Sequence, residues 1–378
     1  MGPLHGLRLV ELFCIGPGPF AGMLLSDMGA EILRIDRPQE PQLGYPDPKY
    51  RTLWRNRQAV TLDLSKPAGV EALLQLVETA DGLIEGYRPG VAERLGVGPD
   101  VCLARNPRLV YGRMTGWGQE GPLARQAGFD INYISLSGLL HAVGPAEKPV
   151  PPLIVAGDFG GGGIFLALGM LAALWEAQRS GRGQVVDASI VDGSANLLAY
   201  VYGGLAGGAW KNQRAANTVD GGHWRYGVYE CADGRFVSVA AMMDPFLKIL
   251  LEKLELRLED FPAPNNRANW PKYRERLTSV FRTRPRDEWV ALFAGTDGCV
   301  APVLDLEEAP QHPHNRARGT FIEHDGVVQP APAPRFSRTP SEIRRRPPAN
   351  GAHNDSALQE WGVSDEALLD FRKRGAFG

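Results

Sequence analysis

Short apolar and polar blocks alternate along the first half of the chain. "LRLVEL" (residues 7–12) is an apolar run of strand character, broken by "GPGP", after which "FAGMLLSDMGA" reads as a helix ending at Gly29. "EILRID" predicts a second strand, "AVTLDL" a third, "PAGVEALLQLVETA" a helix, and "DGLIEG" another strand, with "RLVYGRMTG" following. Strands alternating with helices predict an α/β fold, a parallel sheet covered on both faces. The strand ends run into loops rich in Gly, Pro and Arg, where such sheets bind ligands.

The pattern changes near Gly193. "ANLLAYVYGGLAGGAW" reads as a helix and a small-residue linker, and "YGVYECADGRFVSVAA" as a hairpin turning at Ala232, Asp233 and Gly234. Three helical patterns follow, "PFLKILLEKL", "NWPKYRERLTSVFRT" and "RDEWVALFAG", and then a Pro-rich, extended stretch, "VVQPAPAPRFSRTP". Such a stretch is already stiff and spans distance at little entropic cost. The expected organisation is a large domain over residues 1–193, a linker over 194–225, a small α+β domain over 226–310, and a segment over 311–378 that returns to the large domain. No internal repeat or heptad array is present.

Composition narrows the function. The 378 residues suffice for a large core, and the formal net charge of -2 argues against nucleic acid, which selects a basic excess. Cys14, Cys102, Cys231 and Cys299 stand far apart with no C-x-x-C pair, so neither a metal site nor a disulfide framework is expected, and free thiols in a reducing cytosol are. "MGPLHGLRLVELFCIGPGP" lacks the basic and then apolar layout of a signal peptide. The most apolar stretch, "GIFLALGMLAALWEA", is short for a membrane span and reads as a core helix. A soluble, cytoplasmic protein without a membrane partner is expected.

The sharpest local feature is "VAGDFGGGGIFLALGM", an Asp at an expected strand-to-helix turn with glycines after it. Glycines let a ligand approach the backbone, and amides at a helix start can hold an oxyanion. Asp158 then either moves a proton or attacks a carbonyl, or it merely caps the helix. A second feature is a set of loop arginines, Arg37, Arg55, Arg57, Arg88 and Arg94, able to fork onto phosphates or simply to face solvent. No G-x-x-x-x-G-K-[ST] loop is present, and no G-x-G-x-x-G follows the first strand, so an ATP or NAD site is unsupported.

Longer stretches carry a family resemblance: "GLRLVEL", "GPGPFAGMLLSDMGAEILRIDRP", "LIEGYRPGVAERLG", "YGRMTGWGQEGP", "DINYISLSGLLHAVG", "GDFGGGG", "GQVVDASIVDG" and "VYECADGRFVSVAA". In order and with little insertion, they resemble the class III CoA-transferase family, and within it the racemases of 2-methyl-branched acyl-CoA. The resemblance implies a Rossmann-like large domain plus a small domain in an interlocked homodimer. It implies an acyl-CoA substrate whose CoA lies on the large domain, with no separate cofactor. Carried over by position, CoA contacts fall on Arg37, on Leu62, Asp63, Leu64 and Ser65, on Gly86, Tyr87 and Arg88, and on Arg94. The family's catalytic aspartate falls on Asp158, an acid/base in the racemases and a nucleophile in the transferases. Gly128, Phe129, Asp130 and Tyr133 are placed with the thioester site, Asp130 as a member bonded to backbone.

Two departures follow. The racemases read G-H-D-I-N-Y where this chain has Phe129, and a phenyl ring moves no proton. They also carry Glu-Pro-Gln-Phe where this chain reads "MMDPF", with Met243 opposite the Glu and Asp244 one position on. His223 and Asp244, or water, are the candidates to replace the missing acid/base, whereas His141 matches a histidine the racemases also have. The expected function is a racemase-like enzyme that enolises a branched acyl-CoA. The alternatives are CoA transfer through Asp158, a one-base isomerase or lyase, and a binding protein without turnover.

Overall fold

The computed structural model describes residues 2–39, 47–354 and 356–377. The chain opens with β1 (Arg8–Leu12), α1 (Pro17–Asp27), β2 (Glu31–Asp36), β3 (Arg57–Thr61), α2 (Pro67–Thr79), β4 (Gly82–Glu85), α3 (Val91–Arg94), α4 (Pro99–Arg105) and β5 (Val110–Thr115). It continues through α5 (Asp130–Leu136), α6 (Leu139–Ala142), a π-wound segment (Val155–Ile164) that runs directly into α7 (Phe165–Ser180), β6 (Val185–Ser189), α8 (Ile190–Leu197) and α9 (Ala199–Ala206). Then come β7 (Tyr226–Glu230), β8 (Phe236–Ala240), α10 (Asp244–Lys253), α11 (Trp270–Phe281), α12 (Arg286–Phe293), β9 (Val300–Pro302), α13 (Pro313–Arg318), the hairpin β10 (Phe321–His324) and β11 (Val327–Pro330), α14 (Ala357–Glu360) and α15 (Asp365–Lys373).

Two compact units divide this chain. The first holds everything up to Ser137, Leu153–Leu197, and everything from His314 on. Its six strands pair in the order β3-β2-β1-β4-β5-β6, all parallel. That is the order of a doubly wound nucleotide-binding sheet, whose ligands lie beyond the carboxyl ends of the strands. Strand pleating sends neighbouring residues to opposite faces. Val10, Leu33 and Val60 pack with Leu73 and Leu76 of α2 and with Trp361 and Phe371, while Leu9, Ile32 and Val110 pack with Leu25 of α1 and Leu166 and Met170 of α7. The returning segment is stitched on by polar bonds: the Asn56 side chain accepts from the Arg344 and Arg345 amides, and Asn354 accepts from the Thr61 amide.

The second unit comprises Gly138–Pro152 and Leu198–Pro313. Its antiparallel sheet β7-β8-β9 packs with α10, α11 and α12 around Trp224, Tyr229, Leu250, Phe261, Leu277 and Trp289. Residues 138–152 belong to this unit, although they stand in sequence within the span read as the large domain. Among the described residues one helix, Val155–Ser180, is long and apolar enough to cross a membrane by length and composition. It is longer than the apolar run suggests because the glycine segment is also helical. Its Leu166, Met170 and Ala173 are core residues against the sheet.

Candidate functional site

The first unit forms a cavity of about 310 Å³ at the carboxyl ends of β1, β4 and β5, among the starts of several helices. Asp158 lies in the first turn of the helical stretch that begins at Val155. This departs from the expected strand-to-helix turn, because no strand precedes it. The glycines also serve another purpose. A Cβ on Gly161 would press on Ser194 of α8, one on Gly162 on Pro17, and one on Gly163 on Phe20 of α1. They let two neighbouring helices approach the segment closely. π-winding of this kind recurs at functional sites.

The Asp158 side chain faces Gly16, where φ is +72° and a Cβ would sit 2.8 Å from Asp158 Oδ2. A positive φ and this close approach together require glycine there. Burial lifts the Asp158 carboxyl to about 6, and the charge of Asp130 adds to the rise. Asp130 is itself buried at the start of α5, and its Oδ1 accepts the Asp158 amide at 2.8 Å. Tyr133 donates to the Gly128 carbonyl and sets its ring edge-on to Trp117, 4.7 Å between centroids. Phe129 lines the same cavity and is 72% exposed, an apolar wall with no titratable group.

Gly86, Tyr87 and Arg88 continue the lining, and Tyr87 is shared with a second cavity of about 410 Å³. That cavity is lined by Arg37 beyond β2, by Leu62, Asp63, Leu64 and Ser65 beyond β3, and by Val91 and Leu95 around α3. The Arg37 guanidinium lies over the Tyr87 ring, 5.6 Å from its centroid. Asp63 accepts from the Ser65 hydroxyl at 2.6 Å, and this bond holds its carboxyl below the usual range. The structure thus gathers the residues expected at positions 37, 62–65, 86–88, 128–130, 133 and 158 around two adjoining cavities. Arg94 ends α3 exposed to solvent and lines neither.

Other expected residues line neither cavity. Arg57 is wholly buried, its Nε 2.9 Å from Glu11 Oε2 and its Nη2 on the Pro19 carbonyl. Arg55 is buried on Asp27, Gln329 and the Pro330 carbonyl. Neither is a loop cation open to a phosphate; both are structural ion pairs. His223 belongs to the second unit, 3% exposed, with its ring against Trp270 and its Nδ1 accepting the Arg225 amide. Burial, with Arg225 and Arg274 nearby, pushes it down to about 4, so it is neutral and engaged, as a structural histidine is. Asp244, also in the second unit, starts α10 with its side chain 91% exposed, 3.3 Å from Arg225 Nη1. His141 is exposed beside Arg214.

Sequence reading missed Cys14, Ile15, Met114, Gly116, Trp117 and Gln126, all on the first cavity's wall. The signal was present, since these lie at the end of β5 or in the segments after β1 and β5, and ligands collect beyond strand ends. Among the described residues no group of three His, Cys, Asp or Glu side chains is placed to hold a metal.

Comparison with known proteins matches this geometry to one family. The family model for CoA-transferase family III matches residues 4–354. The chain is 42% identical over 369 residues to the alpha-methylacyl-CoA racemase of Mus musculus, covering 97% of this chain and 95% of that one. It is 39% identical over 368 residues to the racemase of the same name from Homo sapiens, again covering 97% and 95%. A CAIB/BAIF family protein from Brucella suis superposes with a TM-score of 0.81 at 25% identity, over 95% of this chain and 99% of that one.

Proposed function

The chain belongs to CoA-transferase family III, and from that premise we propose that it moves the α-proton of a 2-methyl-branched acyl-CoA thioester, with Asp158 as the acid/base. The observation that carries this reading is the state of Asp158: a carboxylate lifted to about 6, in a cavity that adjoins the one lined by Arg37 and residues 62–65. A carboxylate of ordinary acidity is a poor base toward a carbon acid, and one near 6 is better matched to neutral pH. Removal of the proton leaves negative charge on the thioester oxygen. Pro17 of α1 and Ile190 of α8 each start a helix and each line the cavity, so the positive ends of two helices favour that charge.

CoA arrives as part of the substrate, its phosphates on Arg37 and Arg88, and no separate cofactor is required. Return of the proton to the opposite face falls to water reaching the cavity, because Phe129 on its wall carries no titratable group. A homodimer completes the proposal: Leu136, Leu153, Leu168 and Trp175 are exposed apolar side chains of the first unit that a partner would cover. Four unpaired cysteines suit a cytoplasmic compartment.

A second reading is favoured by one observation, the phenyl ring at position 129. CoA transfer with Asp158 as nucleophile needs no base there, and neither does a one-base isomerase or lyase. Asp158→Asn tests the shared core of these readings. Turnover should fall by about 10²–10⁴-fold, with the dissociation constant of free CoA changed less than about twofold by calorimetry. Full turnover in this variant would sink the assignment of Asp158.

A further inference from the structure

Asp130 stands one position after the phenyl ring, yet its geometry ties it to Asp158. It is the first residue of α5, 7% exposed, and its carboxylate reaches across to the start of another helical stretch, where Oδ1 accepts the Asp158 amide at 2.8 Å and the carboxylate also meets the Gly157 amide. Gly157 is buried, and a Cβ there would strike Asp130 Oδ1 and the Ile134 side chain. The Phe129 amide donates to Asn132 Oδ1 at 3.0 Å, which fixes the turn that delivers Asp130. The Asp130 carboxylate thus ties the start of α5 to the backbone of Asp158.

The same carboxylate places a second negative charge in the cavity. Asp158 shares the cavity wall with Asp130 and Tyr133 of α5, with Cys14 of the loop after β1, with Arg88 of the loop after β4, and with the uncharged Pro17 and Ile190 of α1 and α8. No cation is paired with either carboxylate among the described residues.

We infer that Asp130 is the positioning residue for Asp158: its carboxylate fixes the helix start that carries the base and sets a second negative charge beside it. The inference rests on the reading of Asp158 as the acid/base. Repulsion between like charges in one buried site raises proton affinity, and the Asp158 carboxyl responds in that direction.

Two substitutions separate position from charge. Asp130→Asn keeps an oxygen that can accept both amides and removes the charge. Asp130→Ala removes both. The protein labelled with ¹³C at aspartate carboxyls reports the Asp158 titration by NMR, with Asp158→Asn assigning the resonance, and kcat/KM is followed against pH in parallel. Asp130→Asn should move the Asp158 titration and the acid limb of kcat/KM to lower pH by about half a unit to one unit, and lower plateau kcat about threefold, because a weaker base removes a proton more slowly. Asp130→Ala should lose a further tenfold or so in kcat, which Asn restores. An Asp158 titration that stays put in Asp130→Asn overturns the inference, as does equal kcat in the Ala and Asn variants. A titration that moves while the acid limb does not supports the placement of Asp130 and instead removes Asp158 as the base.

Discussion

The proposed chemistry rests on Asp158, whose environment makes it costly to ionise. Its folded carboxyl titrates at about 6, against about 3.9 in an unfolded chain. The folded state therefore holds the proton more tightly between those values, and stability falls as pH rises from about 4 to about 6. Above that window the full cost is present, and below about pH 4 it is absent. Asp158→Asn removes the charge, so the variant should be more stable than wild type at pH 7 by about 1–3 kcal/mol, with the gain gone at pH 4. Denaturant melts at the two pH values read this directly; a variant less stable at pH 7 would make Asp158 a structural cap. The place of Asp158 on the cavity wall was legible in sequence, because glycines beside it let a ligand approach the backbone. Its pKa was not, since burial and the charge of Asp130 arise only when α5 meets the start of the Val155–Ile164 segment. His223 shows the converse. In sequence a lone imidazole invites a catalytic role, and only the fold shows its ring packed on Trp270 and its Nδ1 accepting the Arg225 amide.

At the scale of elements, the loops after β2, β3 and β4 hold the expected CoA contacts, and one buried acid organises the last of them. Glu85 ends β4 with no exposure; one oxygen accepts the Tyr87 amide at 2.5 Å and the other accepts Arg113 Nε at 2.8 Å. Arg113 in turn reaches Glu93 at 2.7 Å, which ties α3 to the same network. Glu85→Gln substitutes a donor for one acceptor between two donors, so the turn over residues 86–88 should loosen. CoA affinity should fall about tenfold, equivalent to about 1.4 kcal/mol, while kcat at saturating substrate changes little. Unchanged affinity would show that the turn holds its shape without this acid. The same scale explains where the arginines misled. A sequence shows Arg37 and Arg57 alike, but Arg57 meets a partner 46 positions away, Glu11, and disappears into the sheet's α1 face. Arg37 stands one residue past the end of its strand and stays open.

Across the whole molecule, the alternation of short strands and helices was enough to foresee the parallel sheet, because a strand buried on both faces reads as a continuous apolar run. The division into units was less legible: residues 138–152 join the second unit through contacts distant in sequence, and nothing in their composition marks a boundary. The central claim, α-proton transfer by Asp158 in a cavity with an apolar wall at Phe129, is tested most directly by one measurement. Each enantiomer of a 2-methylacyl-CoA is incubated with the wild-type protein in deuterated water, with and without a free carboxylate acceptor, and α-deuterium, chirality and CoA-ester identity are followed together. The account expects deuterium at the α-carbon, faster for one enantiomer than the other, racemisation trailing exchange, and no dependence on the acceptor. No deuterium incorporation, together with a new CoA ester formed only when the acceptor is present, would contradict it.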